Sequence, residues 1–560
     1  MPRPLYRRMP LWELENVADL WDGPGGDSGR GWSATLSLAA DSARHGRSNA
    51  LAMLVLITAI FVEIAGSATS FQAQATPLDA ELQQLIDQPK WESALWGVHI
   101  VSLKDGKVLF SSNARKRFLP ASNMKLLIAA AALDAFGADF RFETPVYGEG
   151  TIDAHGRLLG NLVIAGRGDP NLEGRIYDPQ HEELMQQDIP GFMTQIAGQL
   201  VDRGVKSIVG DVVSDETLFL HEPHDPSWAL ENVLWSYSAP VSSVAAAENW
   251  FQLEVLPGET EGSAAFLRPV PVDSGLVLVN QVKTTSHGRE AWMGVDLNPE
   301  GSHVTLRGEI PLRHAGLKYN LAVRDAGVFA GRLLKLALAQ RGIAVTGEVK
   351  TRQLSALEIL EQGKSSLDAA KRLQSAYREE QKLASVRTQP LSESLKVMMK
   401  TSNNLYAEMM LRNLGAQTTG LGSVATGVSA LERFLEKTGN SKNSVSLNDG
   451  SGLSRKNLIT PESVVRVLQY MDQHPHREVF LDMLPVAGRD GTLKNRMKKG
   501  PAFEHIFAKT GSIDFVNTLS GFAMARSGER LAFSIMVNNS NATSREAREA
   551  IDMICEWMTR

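Results

Sequence analysis

Cysteine is nearly missing from this chain: Cys555 is the only one among 560 residues. A single thiol excludes an intramolecular disulfide and any zinc site built on cysteines. An excess of charge is missing too. The 58 Lys and Arg almost balance the 63 Asp and Glu, for a formal charge of −5. A nucleic-acid partner calls for a basic face and is therefore not expected. The 12 His are scattered, with no HExxH and no paired ligand spacing, so no metal or other cofactor is expected. A long apolar run is absent from the N-terminal region. Leu51 to Val62 is about twelve residues, short of the roughly 20 that span a bilayer. Arg44 and Arg47 precede this run, Glu63 ends it, and small residues follow up to Ala73-Gln74-Ala75. That order is a signal peptide cleaved after Ala75, with an uncleaved anchor as the rival. Residues 1–43, rich in Gly and Arg without a period, read as a leader or as sequence upstream of the true start. The expectation is a periplasmic protein, with peripheral membrane association left open. With one thiol, packing has to stabilise it.

What is present is a large apolar fraction, 43%, against 22% charged residues. That composition is globular, and the length predicts two or three domains. A helix is expected from Pro77 to Asp87, then a hairpin of Trp96–Leu103 and Lys107–Ser111 around Asp105-Gly106. Met124 to Phe136 is an apolar run closed by Gly137, read as a buried helix with a glycine cap. From about Tyr147 to Lys350 short strand-like runs alternate with Gly and Pro turns, with one helix expected, Ala326 to Gly342. Residues 353–384 are charged and helix-favouring, an expected solvated helical excursion. Helices resume at Leu391–Thr401 and Leu405–Leu414, and Thr460-Pro461 is a helix start. The chain ends in strands Ile506–Gly511, Leu519–Arg526 and Arg530–Asn538 and the helix Ser544–Met558. An early hairpin and late strands can share one sheet, which makes the middle an insertion.

Three short motifs carry chemistry: Ser122-Asn123-Met124-Lys125, Ser402-Asn403-Asn404 and Lys509-Thr510-Gly511. A serine hydroxyl needs a base beside it to act as a nucleophile. Residues i and i+3 share a helix face, so Lys125 is placed to be that base for Ser122. Lysine accepts a proton only when neutral, and burial together with a second cation, Lys509, favours that state. Ser402, at a break between two helices, can relay a proton to the leaving amine, and Asn404 can hold the substrate backbone. Lys509 and Thr510 can bind a terminal carboxylate. Gly511 lets the strand backbone come close. The N–H groups of Ser122 and Ser512 are the expected oxyanion hole.

Each motif alone is weak, but all three occur in order and in context. With this trio the chain resembles the class C low-molecular-mass penicillin-binding proteins, the D-alanyl-D-alanine carboxypeptidase/endopeptidase family. The resemblance covers nearly all of residues 77–560. It includes the gap of about 280 residues between Ser122 and Ser402, and the stretches Gly166-Arg-Gly-Asp-Pro170, Gly210–Asp215, Tyr237-Ser-Ala-Pro-Val241, Asn448–Arg455 and Leu484–Leu493. It implies a multi-domain α/β + β fold: a transpeptidase/β-lactamase-like domain with nested β-rich insertion domains between the first and second motifs. On this reading the catalytic domain is 77–146 and 385–560, the inserted β-rich domain 147–250 and 311–352, and the nested small β domain 251–310. The resemblance also implies peptidoglycan stem peptides as substrates and acylation by β-lactams. Asp215 and Arg455 match the positions that bind the charged end of the stem-peptide side chain. Asp514 stands where Gln is expected, which leaves the side-chain preference open.

Plainer readings stand beside these. Asp215 can cap a turn, Arg455 can pin its glycine-rich loop, and Asp449 and Ser451 can shape a turn. Arg167-Gly-Asp169 is expected to be a structural turn and His505 a structural residue. Two rival functions remain. A β-lactamase would need a deacylating base such as Glu462, which here opens a helix. A catalytically dead cell-wall binder is the second. Oligomeric state is not legible.

Overall fold

The computed structural model describes residues 77–181, 186–271, 274–357 and 377–560. The expected signal peptide and leader, residues 1–75, lie outside the described residues, as do residues 358–376 of the expected helical excursion.

The early hairpin and the late strands do form one sheet. Its order is Ile506–Ile513, Val516–Met524, Arg530–Asn538, Leu95–Ser102, Val108–Ser112, and every neighbouring pair is antiparallel. Segments more than 400 residues apart meet because Leu95 pairs with Asn538 and Ser102 with Leu531. The amphipathic helix Ser544–Met558 covers one face, burying Ala547, Ile551 and Ile554 with Val98 and Ile535 of the sheet. The other face carries the helices Met124–Phe136, Leu391–Thr401, Asn404–Thr419, Val424–Lys437 and Pro461–Asp472. Met124–Phe136 is buried at every residue from Met124 to Leu133, which is why that stretch, Lys125 excepted, is apolar on all sides.

The middle of the chain differs from the expectation of one helix among strands. A second helix, Gly191–Asp202, packs with Ala326–Gln340 against a seven-stranded sheet. Several of its pairs are parallel, including Val212–Asp215 with both Arg157–Ala165 and Val349–Arg352. This layer is therefore α/β and not purely β. Residues 382–384, expected to be helical, start the strand Lys382–Arg387, which pairs with Glu143–Ile152. Two three-stranded sheets are nested within the insertion. One holds Val277–Thr285, Trp292–Leu297 and His303–Pro311; the other holds Trp250–Leu256, Phe266–Val270 and Leu317–Ala322.

Candidate active site

Ser122 sits on the short 3-10 turn Ala121–Asn123 that runs directly into the helix Met124–Phe136. Ala121, just before it, has φ 46°, a left-handed conformation that a residue with a Cβ seldom adopts. Such strain persists only where the surroundings enforce it. Two glycines enforce it here. A Cβ on Gly511 would lie 2.8 Å from Pro120 O and 2.9 Å from Ser122 N. A Cβ on Gly452 would lie 1.8 Å from Ala121 O. The third-motif strand and the Asn448–Arg455 loop thus press on the nucleophile turn from two sides.

Lys125 is fully buried one helical turn on. Its Nζ is 3.0 Å from Ser122 Oγ, 2.6 Å from Asn404 Oδ1 and 2.7 Å from Ser451 O. A neutral amine has two N–H bonds and one lone pair. The amide oxygen and the backbone carbonyl can only accept, so they take the two N–H bonds. The lone pair is left facing the Ser122 hydroxyl, the one partner that can donate. Burial supplies the neutral form by lowering the lysine to about 7, while Asp449 and Glu408 pull it back up. Of the two causes expected from sequence, burial is the one that acts on Lys125. The repulsion between the two lysines is felt at Lys509, which burial and then Lys125 hold well below the usual lysine value.

Ser402 caps the helix Leu391–Thr401 in the left-handed conformation, φ 62°. It accepts from Lys509 Nζ at 2.9 Å, and Lys509 also donates to Thr510 O at 2.9 Å. Asn404 joins the two lobes: its Oδ1 faces Lys125 and its Nδ2 donates to Tyr237 O at 2.7 Å. Thr510 Oγ1 donates to Thr492 Oγ1 at 2.8 Å. Thr492 is held there by the buried pair Lys400–Asp490, at 2.7 Å, which ties the Leu484–Leu493 segment to the helix that ends at Ser402.

Ser122, Ser402, Asn404 and Ser512 line one cleft of about 430 Å³, together with Arg455, Asp514, Glu231, Asn232 and Tyr237. A larger cavity, about 800 Å³, lies between residues 223–235 and 295–301. No paired serine and lysine line it, so chemistry and not size selects the site. The structure brings Arg455 and Asp514 together: Arg455 NH2 donates to Asp514 O at 3.0 Å, beside the turn Asp514-Phe515. Asp215 is not brought to the cleft. It is buried, accepts from Thr217 N at 3.0 Å and Thr217 Oγ1 at 2.6 Å, and meets Tyr377 and Arg352. It closes a turn, so the acid assigned to it in substrate binding is corrected: the cleft acids are Glu231 and Asp514.

Sequence reading missed Glu408. Fully buried and paired with Arg412 at 3.1 Å, it accepts from Gly450 N and Ser451 N at 3.0 and 2.8 Å. Asp449 gathers Gly452 N, Ser454 N and Trp228 Nε1 at 2.7 to 2.9 Å. Asp449 and Ser451 do shape a turn, as the plainer reading had it, and the turn aims the Ser451 carbonyl at Lys125. The visible signal for Glu408 was an acid placed i, i+4 from Arg412 on an otherwise apolar helix. Glu462, the deacylating base a β-lactamase would need, is not a cleft residue: Arg115 and Arg466 hold it at 3.1 and 2.8 Å.

The sequence pattern of the D-Ala-D-Ala carboxypeptidase 3 (S13) family matches residues 78–367 and 356–558. The chain is 32% identical over 516 residues to a D-alanyl-D-alanine carboxypeptidase of Actinomadura sp. (strain R39), covering 89% of this chain and 88% of that protein. It is 26% identical over 452 residues to the D-alanyl-D-alanine carboxypeptidase DacB of Haemophilus influenzae, covering 80% and 86%. The crystal structure of penicillin binding protein 4 (dacB) from Haemophilus influenzae has the same fold. Its TM-score is 0.69 at 24% identity, over 86% of this chain and 98% of that one.

Proposed function

The chain belongs to the D-Ala-D-Ala carboxypeptidase 3 (S13) family, and from that premise we propose how its cleft works as a serine DD-peptidase. The enzyme is a D-Ala-D-Ala carboxypeptidase of peptidoglycan stem peptides. Ser122 Oγ attacks the carbonyl of the penultimate D-Ala while its proton passes to Lys125. The developing oxyanion is met by the N–H groups of Ser122 and Ser512. Ser402, hydrogen-bonded to Lys509, returns a proton to the leaving amine. Water then cleaves the ester on Ser122. The substrate's terminal carboxylate meets Lys509, Thr510 and Thr492, and a carboxylate beside Lys509 favours its charged form. The same acyl-enzyme forms when the leaving amine belongs to a second stem peptide, so cross-links are substrates of the same machinery. β-Lactams, whose ring mimics D-Ala-D-Ala, acylate the same serine.

The observation that carries this reading is the donor arithmetic at Lys125, which leaves its lone pair for Ser122 alone. Ser122→Ala should abolish covalent labelling by fluorescent penicillin while the circular dichroism spectrum is unchanged. Labelling that survives would sink the mechanism.

Arg455 reads the far, zwitterionic end of the stem-peptide side chain, with Glu231 and Asp514 as the acids beside it. A hydrogen bond between charged groups contributes about 1.5–3 kcal/mol. Arg455→Ala should therefore lower kcat/KM about 10–100-fold for a stem peptide with a free diamino-acid end. A short acylated D-Ala-D-Ala peptide should be scarcely affected. Equal losses on both substrates would make Arg455 structural.

The protein acts in the periplasm after export. The support is the charged, apolar, small-x-small order that ends at Ala75. N-terminal sequencing of periplasmic material should begin near Thr76, and a start upstream of Leu51 would indicate an uncleaved anchor.

A further inference from the structure

The second motif departs from a common pattern at its middle residue, Asn403, and the structure gives that residue an unexpected partner 155 positions earlier in the chain. Asn403 Nδ2 donates to Glu248 Oε2 at 2.8 Å, and Asn403 Oδ1 accepts from Tyr406 N at 3.2 Å, capping the helix Asn404–Thr419. Both ends of the amide are therefore held. Glu248 is buried, and its other oxygen accepts from Arg175 NH1 at 2.8 Å. It stands on an unusual backbone: Ala247, Glu248 and Asn249 have φ of 49°, 52° and 56° in succession. Three consecutive residues with a Cβ in the left-handed region persist only if neighbours over-determine them. They do so here. Asn249 Nδ2 donates to Pro240 O at 2.8 Å, Asn249 Oδ1 accepts from Ala246 N at 3.1 Å, and Ala247 N donates to Glu173 Oε1 at 2.5 Å.

We propose that Glu248, carried by the insertion, is a positioning residue that fixes the second motif through Asn403. The inference rests on the serine DD-peptidase reading of the cleft. Glu248 does not line the cleft and reaches neither Ser122 nor the two lysines. What it holds is the residue between Ser402, which bonds Lys509, and Asn404, which bonds Lys125. Rotation of the Asn403 peptide would move both contacts at once, because Ser402 is already in a left-handed conformation with little freedom to compensate. The pairing also explains why residue 403 is Asn. An Asp would cap the helix equally well, but would set a second carboxylate against Glu248 in a buried place, where like charges repel strongly. Asn supplies a donor to the acid and an acceptor to the helix.

Reversing the bond tests this. Asn403→Asp places acid against acid, and Glu248→Gln places amide against amide. Each should lower kcat for a D-Ala-D-Ala peptide and the acylation rate by penicillin at least about tenfold, equivalent to about 1.4 kcal/mol. KM should stay within about twofold, since neither residue meets the substrate. The double variant restores one donor and one acceptor, and should return to within about threefold of the parent. Thermal unfolding of all four proteins separates positioning from folding. The proposal is overturned if the single variants melt lower yet acylate at the parent rate, if KM carries the loss, or if the double variant folds and stays as slow as the singles. Should Asn403→Asp not fold, the comparison of Glu248→Gln with the double variant decides by the same criterion. If instead Ser122→Ala still labels, the DD-peptidase reading fails; a parent labelled only on Ser122 with unaffected single variants removes this inference alone.

Discussion

Lys125 is where a small change in environment has a large chemical effect. An exposed lysine is an ammonium at neutral pH and cannot take a proton from Ser122. Burial brings this one to about 7. The sign of the pH dependence follows. Below that value Lys125 is protonated and its lone pair is gone; above it the amine is free. The rate of penicillin acylation should therefore rise with pH through about 7, and level off above it. Measuring the second-order acylation rate constant from pH 5 to 9 checks this, and a rate flat across pH 7 would mean that Lys125 is not the base. Glu408 and Asp449 both raise Lys125, so replacing the Glu408 carboxylate by an amide should move the midpoint to lower pH. The three motifs could be picked out because each local sequence rule agreed with its neighbours, and the structure brings their side chains together. Asp215 was misread because a match of position says nothing about which way a side chain points: Thr217, Tyr377 and Arg352 hold it inside the insertion.

At the scale of elements, periodic and well-capped segments could be read directly. The Ser544–Met558 helix has a Thr543 cap with Glu546 completing the box, and its predicted limits match those observed. Met124–Phe136 is closed by Gly137 at φ 79°, as expected. The helix Val424–Lys437 was missed, and the reason is physical. Gly427 and Thr426 reduce its local propensity, yet the glycine is required where it is. A Cβ there would lie 2.3 Å from Leu411 O of the neighbouring helix, and a Cβ on Gly415 would lie 2.3 Å from Thr426 Oγ1. The two helices cross at small residues so that the one carrying Asn404 and Glu408 can sit close to its support. Gly191–Asp202 was missed for another reason. It lies among short strands, and its burial of Phe192, Met193, Ile196 and Leu200 is dictated by the sheet beneath it and not by a long repeat. In each case tertiary packing outweighed the local signal.

For the whole molecule, the question is how tightly the insertion is joined to the catalytic part. One apolar core draws only on residues from Val146 to Val386. Two others draw on residues 82–142 and 391–558, with Tyr177 the single contribution from the insertion among the described residues. Between them lies a small cluster in which Phe219, Trp228, Val241 and Ala245 meet Leu405 and Met409. The remaining links are polar, such as Asn413 Nδ2 to Gly168 O at 2.7 Å, Tyr406 OH to Asn171 Oδ1 at 3.1 Å and Trp228 Nε1 to Asp449 Oδ2 at 2.9 Å. Interfaces that are narrow and polar couple unfolding weakly. Separate cores joined in this way should not melt as one cooperative unit. Scanning calorimetry should give a calorimetric enthalpy larger than the van't Hoff enthalpy. Penicillin provides the second half of the test. Acylation of Ser122 forms its bond in the catalytic part, while the insertion contributes only Glu231, Asn232, Tyr237 and their neighbours to the same cleft, and anything held only by the folded state raises its stability. For a unit of about 150–250 residues each kcal/mol raises the midpoint by about 2–4 °C. The transition belonging to the catalytic cores should therefore move up by several degrees after acylation, and by more than the one belonging to the insertion. A single two-state transition that shifts as a whole would show that the polar links at Asn413, Tyr406 and Trp228 couple the cores fully.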